Sequence, residues 1–180
     1  MTMLDSLITS KTRIKLLIRL FLNPNSAGYL RGLADEFAES TNSVRIELNR
    51  LEEAGMLTSA SKGKKKVYKA NRKHPLFSDI QNILRKVTGI DNVINNIINH
   101  IGGLQRVYLV GPLAQGLDNN QIDVVLVGEA IDSDYLHELV DKSEKLVNRK
   151  INAQIVHPNN IQTLLQDPEQ STVLLWESNQ

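Results

Sequence analysis

Apolar positions repeat every three to four residues through the first half of the chain and gather into short continuous runs in the second. Ile14, Leu17, Ile18 and Phe21 fall on one helical face. They predict a helix that begins at a Ser10 or Thr12 cap and ends near Leu22, before Asn23-Pro24-Asn25. Tyr29 and Leu30 read as a short strand. A second helix is expected over 31–39, with Leu33, Ala34 and Phe37 inward. Ser40-Thr41-Asn42 forms a tight link that also supplies capping oxygens. A third helix follows to Ala54, and Gly55 stops it. Val44, Leu48 and Leu51 mark its core face, whereas Arg45, Glu47, Asn49 and Arg50 lie elsewhere. Two strands, 56–60 and 66–70, then flank a turn at Gly63.

After His74-Pro75 the pattern predicts a linking helix over 79–87. Another helix follows Asp91, with Val93, Ile94, Ile97, Ile98 and Ile101 on one side. Strands are expected at 106–110, 122–127, 151–156 and 173–176. A long helix over 133–148 and a short one from Pro158 are interleaved with them. The fold class is α+β. Its expected parts are a first unit at 1–74, a helical segment at 75–102, and a mixed α/β unit at 103–180 whose first helix is 91–101.

Charge sharpens that division. Residues 1–74 carry 14 Lys+Arg and 7 Asp+Glu, hence +7, while residues 75–180 carry 7 and 13, hence −6. A polyanion is therefore expected to meet only the first half. The absence of cysteine excludes disulfides and thiolate metal sites. No apolar run approaches the ~20 residues that span a bilayer, and no signal-peptide pattern opens the chain. A cytoplasmic protein is expected. Aromatic residues make up only 4% of the chain, so the cores must be built mainly from Leu, Ile and Val. The four histidines lack metal-ligand spacing, no serine sits in a nucleophile elbow, and Trp176 reads as an apolar anchor.

Three segments carry a family resemblance in the first half. They are Tyr29-Leu30-Arg31-Gly32-Leu33-Ala34, the run from Ser43-Val44 through Leu48-Asn49-Arg50-Leu51 to Gly55-Met56-Leu57, and the hairpin Lys62-Gly63-Lys64-Lys65-Lys66. This half resembles the winged helix-turn-helix regulators of the arsenic-repressor type. The resemblance implies that the helix after Ser40 enters a major groove. Thr41, Asn42, Ser43, Arg45 and Asn49 would then face base edges or phosphates. Lys62, Lys64, Lys65 and Lys66 would lie on the backbone as a wing. It also implies a homodimer on double-stranded DNA. The isoleucine-rich helices around 83–101 can serve that contact or pack on their own domain.

The second half carries Val110-Gly111-Pro112-Leu113-Ala114-Gln115-Gly116, followed by Gln121-Ile122-Asp123-Val124-Val125-Leu126-Val127. It resembles the minimal nucleotidyltransferases related to DNA polymerase β. That family uses a Gly-Ser turn and strand carboxylates to hold Mg²⁺ and a triphosphate. Here Pro112 replaces the serine and Gln121 replaces the first acid. Asp123 matches the second acid, and the third falls near Asn152 or Gln154. Asp118 is assigned to turn chemistry. The expectation is no catalytic residue, no metal and no resident cofactor. Gly111, Ala114, Gly116 and Asp123 remain as a pocket for a nucleotide or other small-molecule effector. The whole reads as a DNA-binding regulator. Two rivals stay open: an active nucleotidyltransferase acting on a partner protein or small molecule, and an adaptor whose first domain docks a protein.

Overall fold

The computed structural model describes residues 8–117, 119–165 and 171–178. The chain divides into two compact units, Met1–Val87 and Thr88–Gln180. Both contain helices and a sheet, so the fold is mixed α+β. Within the segment 75–102, one helix falls in each unit.

In the first unit, α1 (Lys11–Leu17) starts at Ser10, whose hydroxyl accepts from the Arg13 N–H at 3.2 Å. It runs on as one wide π turn, Ile18–Leu22. The expected single apolar stripe is too narrow here. Leu16, Leu20 and Leu22 are buried as well, because the helix is covered on two sides. Helix α3 (Thr41–Glu53) packs on α1, and α4 (Phe77–Val87) packs on the π turn. Phe21 and Phe77 meet at 5.8 Å between ring centroids, and the Gln81 side-chain amide donates to the Phe21 carbonyl at 3.2 Å. A loosened helical ladder is thus tied down by a side chain 60 residues away.

Strand β1 (Ala27–Tyr29) precedes α2 (Leu30–Phe37). Leu30, expected in the strand, opens the helix instead, since strand pairing ends at Tyr29↔Val67. Strands β2 (Leu57–Lys62) and β3 (Lys65–Ala70) form a hairpin longer than expected, and the antiparallel sheet has the order β1-β3-β2. Lys62 faces Lys65 across the two-residue turn. Gly63 takes a φ of +63° with nothing near its missing side chain, so backbone freedom is the reason for glycine there.

The second unit holds a sheet of β4 (Leu104–Val110), β5 (Gln121–Gly128), β6 (Lys150–Val156) and β7 (Val173–Glu177). Their order is β6-β5-β4-β7. The β5–β6 pair is parallel and the others are antiparallel. Helices α5 (Ile90–His100) and α7 (Ser133–Val147) pack on each other, and Asn96 donates to the buried Ser143 hydroxyl at 2.7 Å. The short α6 (Gly111–Ala114) follows β4 directly, and α8 (Ile161–Leu165) follows β6. Side chains alternate along β5. Ile122, Val124 and Leu126 are buried on one face, and Val125 and Val127 pack with Tyr108, Val110 and Ile161 on the other. Burial on both faces explains why this strand reads as a continuous apolar run.

Of the isoleucine-rich stretch, Val93, Ile94, Ile97 and Ile101 are buried inside the second unit. That choice was open in the sequence, and burial leaves these side chains little surface for another chain. Ile83 in α4 and Leu76 just before it stay about half exposed.

Candidate nucleic-acid interface

Helix α3 separates two chemistries. Val44, Glu47, Leu48 and Leu51 are buried, and Thr41, Asn42, Ser43, Arg45, Ile46 and Asn49 are exposed. Ser40 caps the helix. Its hydroxyl accepts from the Ser43 N–H at 3.1 Å and lies 2.9 Å from the Ser43 hydroxyl. Ser43 is therefore engaged in the cap. Thr41, Asn42, Arg45 and Asn49 have no side-chain hydrogen bond or ion pair among the described residues.

Glu47 was expected away from the core, yet it is buried. Arg13 donates to one of its carboxylate oxygens at 2.7 Å and Arg50 to the other at 3.2 Å. Burial pushes the Glu47 carboxyl up, but the bonds from Arg13 and Ser10 and the charges of Arg13 and Arg50 outweigh that. The group ends below the usual carboxylate range. Glu39 behaves alike: burial is outweighed by bonds from Lys15 and Thr12 and the charge of Lys15. The Glu47 pair fixes α3 against α1, and the Glu39 pair fixes the link between α2 and α3 against the same helix. Periodicity marks Glu47 only as a polar residue near the core face, and its partner lies 34 positions earlier.

The hairpin is anchored to the same helix. Glu52 of α3 accepts from Lys66 at 2.7 Å and from the Ser59 hydroxyl, and those bonds hold its carboxyl low. The four lysines thus differ. Lys66 is paired with Glu52 and also lies 5.1 Å from the Tyr68 ring centre. Lys65 sits 4.3 Å over Tyr29. Lys62 and Lys64 have no acidic partner among the described residues. Between hairpin and α2 opens a depression of about 650 Å³ that includes Arg31, Asp35, Lys64, Lys65 and Lys66.

The second unit gathers a different cluster. Gln121 and Asp123 share a face of β5, and Asn152 of β6 lies opposite Asp123. The Gln121 amide donates to Asp123 Oδ1 at 2.7 Å, and the Asn152 amide donates to the same oxygen at 2.8 Å. Oδ2 is buried without a partner. A Cβ at Gly111 would come within 2.6 Å of that oxygen, and Gly111 holds a φ of +68°, so only glycine suits the position. Ala114 is fully buried, and Gly116 is buried in a left-handed turn. Gln154 stands beside Val125 rather than Asp123. Asp118 lies outside the described residues.

A hard divalent cation takes several oxygen ligands, commonly more than one carboxylate. This cluster offers one carboxylate with two amide donors already directed at it, a set that does not fit such an ion. No group of three potential His, Cys, Asp or Glu ligands occurs among the described residues. His74 and His157 each accept a backbone N–H through Nδ1, from Leu76 and Asn159, so both belong to local turns. No helix among the described residues is long and apolar enough to cross a membrane.

No family model matches the chain, and no curated protein matches it. Solved structures of nucleotidyltransferases and of transcription regulators share parts of it. A mutant form of the toxin–antitoxin MntA–HpeT is 19% identical, covering 50% of this chain and 73% of its own, with a TM-score of 0.41. A candidate nucleotidyltransferase from Sulfolobus solfataricus is 17% identical over 56% of this chain and 87% of its own, at 0.39. The transcriptional regulator BldR from the same organism is 12% identical over 55% and 68%, at 0.37. At these scores the likeness does not bear on what the chain does.

Proposed function

We propose that this protein is a DNA-binding transcription regulator. Its first unit would be a winged helix-turn-helix, and its second a nucleotidyltransferase-like domain without activity. One observation carries the reading: α3 presents Asn42, Arg45 and Asn49 with no side-chain partner among the described residues, beside a lysine hairpin anchored to that helix through Glu52. Arg45 suits guanine, and the asparagines suit adenine. Thr41, Lys62 and Lys64 suit phosphates. Lys65 and Lys66 add charge from fixed positions. Ser43 serves through the cap that orients the helix end.

A homodimer would place two such helices on two half-sites. Leu76 and Ile83 are apolar side chains left exposed for that contact. The second unit would serve oligomerisation or the sensing of a nucleotide or other small molecule around Gly111 and Asp123. Sensing requires that the ligand bind two states of the protein with different affinity.

The test is retention of mixed-sequence duplex by the purified full chain in dilute buffer. Binding should weaken steeply with salt, in proportion to the phosphates neutralised. No retention even in dilute buffer would overturn the DNA-reading assignment. The rival reading, an active nucleotidyltransferase, is favoured by the glycine turn at Gly111 beside Asp123. Label transfer from nucleoside triphosphates with Mg²⁺ that disappears in Asp123→Ala would establish it.

A further inference from the structure

One residue on the outward face of α3 does not match its neighbours. Ile46 is 43% exposed, and it lies among Asn42, Arg45 and Asn49. A single exposed apolar side chain is ordinary on a protein surface. Its position is what distinguishes this one. At about 100° per residue, Asn42, Ile46 and Asn49 fall within about 60° of one another, on the side opposite Val44, Leu48 and Leu51. Ile46 therefore sits near the middle of the surface that the proposed function directs at base edges. A β-branched side chain also lowers helix propensity, and here only partial burial offsets that cost.

We infer that Ile46 reads a thymine through its C5-methyl group, and so sets specificity alongside Arg45 and the two asparagines. This deepens the DNA-reading assignment and rests on it. The occupant follows from what surrounds the side chain. Amide and guanidinium donors without a partner among the described residues flank it, and the lysine hairpin held by Glu52 adds positive charge. A protein partner would need an apolar patch, whereas this surface offers one apolar group among hydrogen-bonding ones. The major groove presents that mixture: acceptors and donors on the base edges, with the thymine methyl as its apolar group. Glu52 and Glu53 at the far end of α3 are unsuited to phosphates, so contact runs from Thr41 to Asn49, and Ile46 stands within that stretch.

The experiment uses the full chain and duplexes selected from a randomised pool. Wild type should enrich thymine at one position that Ile46→Ala does not enrich. Deoxyuridine at that position, which lacks only the methyl, should weaken wild-type binding about fourfold, the worth of one buried methyl-sized group. The same exchange should leave Ile46→Ala unchanged. Ile46 is exposed and alanine favours helices, so the variant should fold, and its circular dichroism and melting check this. Equal loss in both proteins, or no loss in wild type, overturns the inference while leaving DNA binding intact. A shift in oligomeric state caused by Ile46→Ala, with thymine preference unchanged, also overturns it. Failure of wild type to hold any duplex removes the assignment beneath it as well.

Discussion

The two units treat similar side chains in opposite ways. On α3, Asn42, Arg45 and Asn49 are exposed, and their hydrogen-bonding groups are unpaired among the described residues. In the second unit, Gln121 and Asn152 turn theirs onto Asp123. Water satisfies an exposed amide at little cost, so the α3 groups remain free for a partner. A half-buried carboxylate lacks full hydration and draws donors from its own chain. Residue type alone does not separate a recognition surface from a structural cluster. The local accessibility of each polar atom does.

The contrast can be broken first in the second unit. Asn152→Asp removes an amide donor and sets a second carboxylate against Asp123. We expect a loss of about 1–3 kcal/mol in denaturant unfolding near neutral pH. Like charges raise the folded-state pKa of the new pair. The penalty should therefore be absent at pH low enough to protonate both states, and should grow as pH rises through the ordinary carboxylate range. A variant as stable as wild type at pH 7 would show that the cluster is not structural.

Arg45→Ala makes the opposite case. Stability should change by less than about 0.5 kcal/mol, as for exposed sites. DNA affinity should fall by about 1–3 kcal/mol, with relaxed preference at one base position. Equal loss across all sequences would place Arg45 on the backbone instead. The wing lysines should behave in that second way. Lys62→Ala and Lys64→Ala should each lower the logarithmic salt slope of binding by about 0.9 without altering sequence preference.

The smallest effect concerns Glu47, the polar residue of α3 that is tied up. Its folded-state pKa is depressed from 4.5 by Arg13 and Arg50 in spite of burial. Its contribution is thus present above the unfolded value and lost as pH falls through the folded one. Glu47→Gln should flatten the acid side of the stability–pH curve while leaving DNA affinity at neutral pH nearly unchanged.

Helical periodicity located α2, α3 and α5, and alternation with continuous apolar runs located the strands, each to within a few residues. Those signals are local: they follow from how often a side chain returns to the same face. The lysine hairpin and the split of charge were legible for the same reason. Burial on two sides of α1 was not, because the π turn and the Gln81 anchor depend on a helix far along the chain. The Glu47 pair with Arg13 and the differing fates of Lys62, Lys64, Lys65 and Lys66 also lay beyond sequence patterns. The resemblance left the third position open between Asn152 and Gln154, and the parallel pairing of β5 with β6 sets Asn152 beside Asp123.

The sequence by itself determined which stretches become helix or strand and which half carries positive charge, since both depend on near neighbours. Tertiary structure decided which polar groups face each other and which face water. Hydrogen bonding and desolvation act over a few ångströms in space, whatever the distance along the chain.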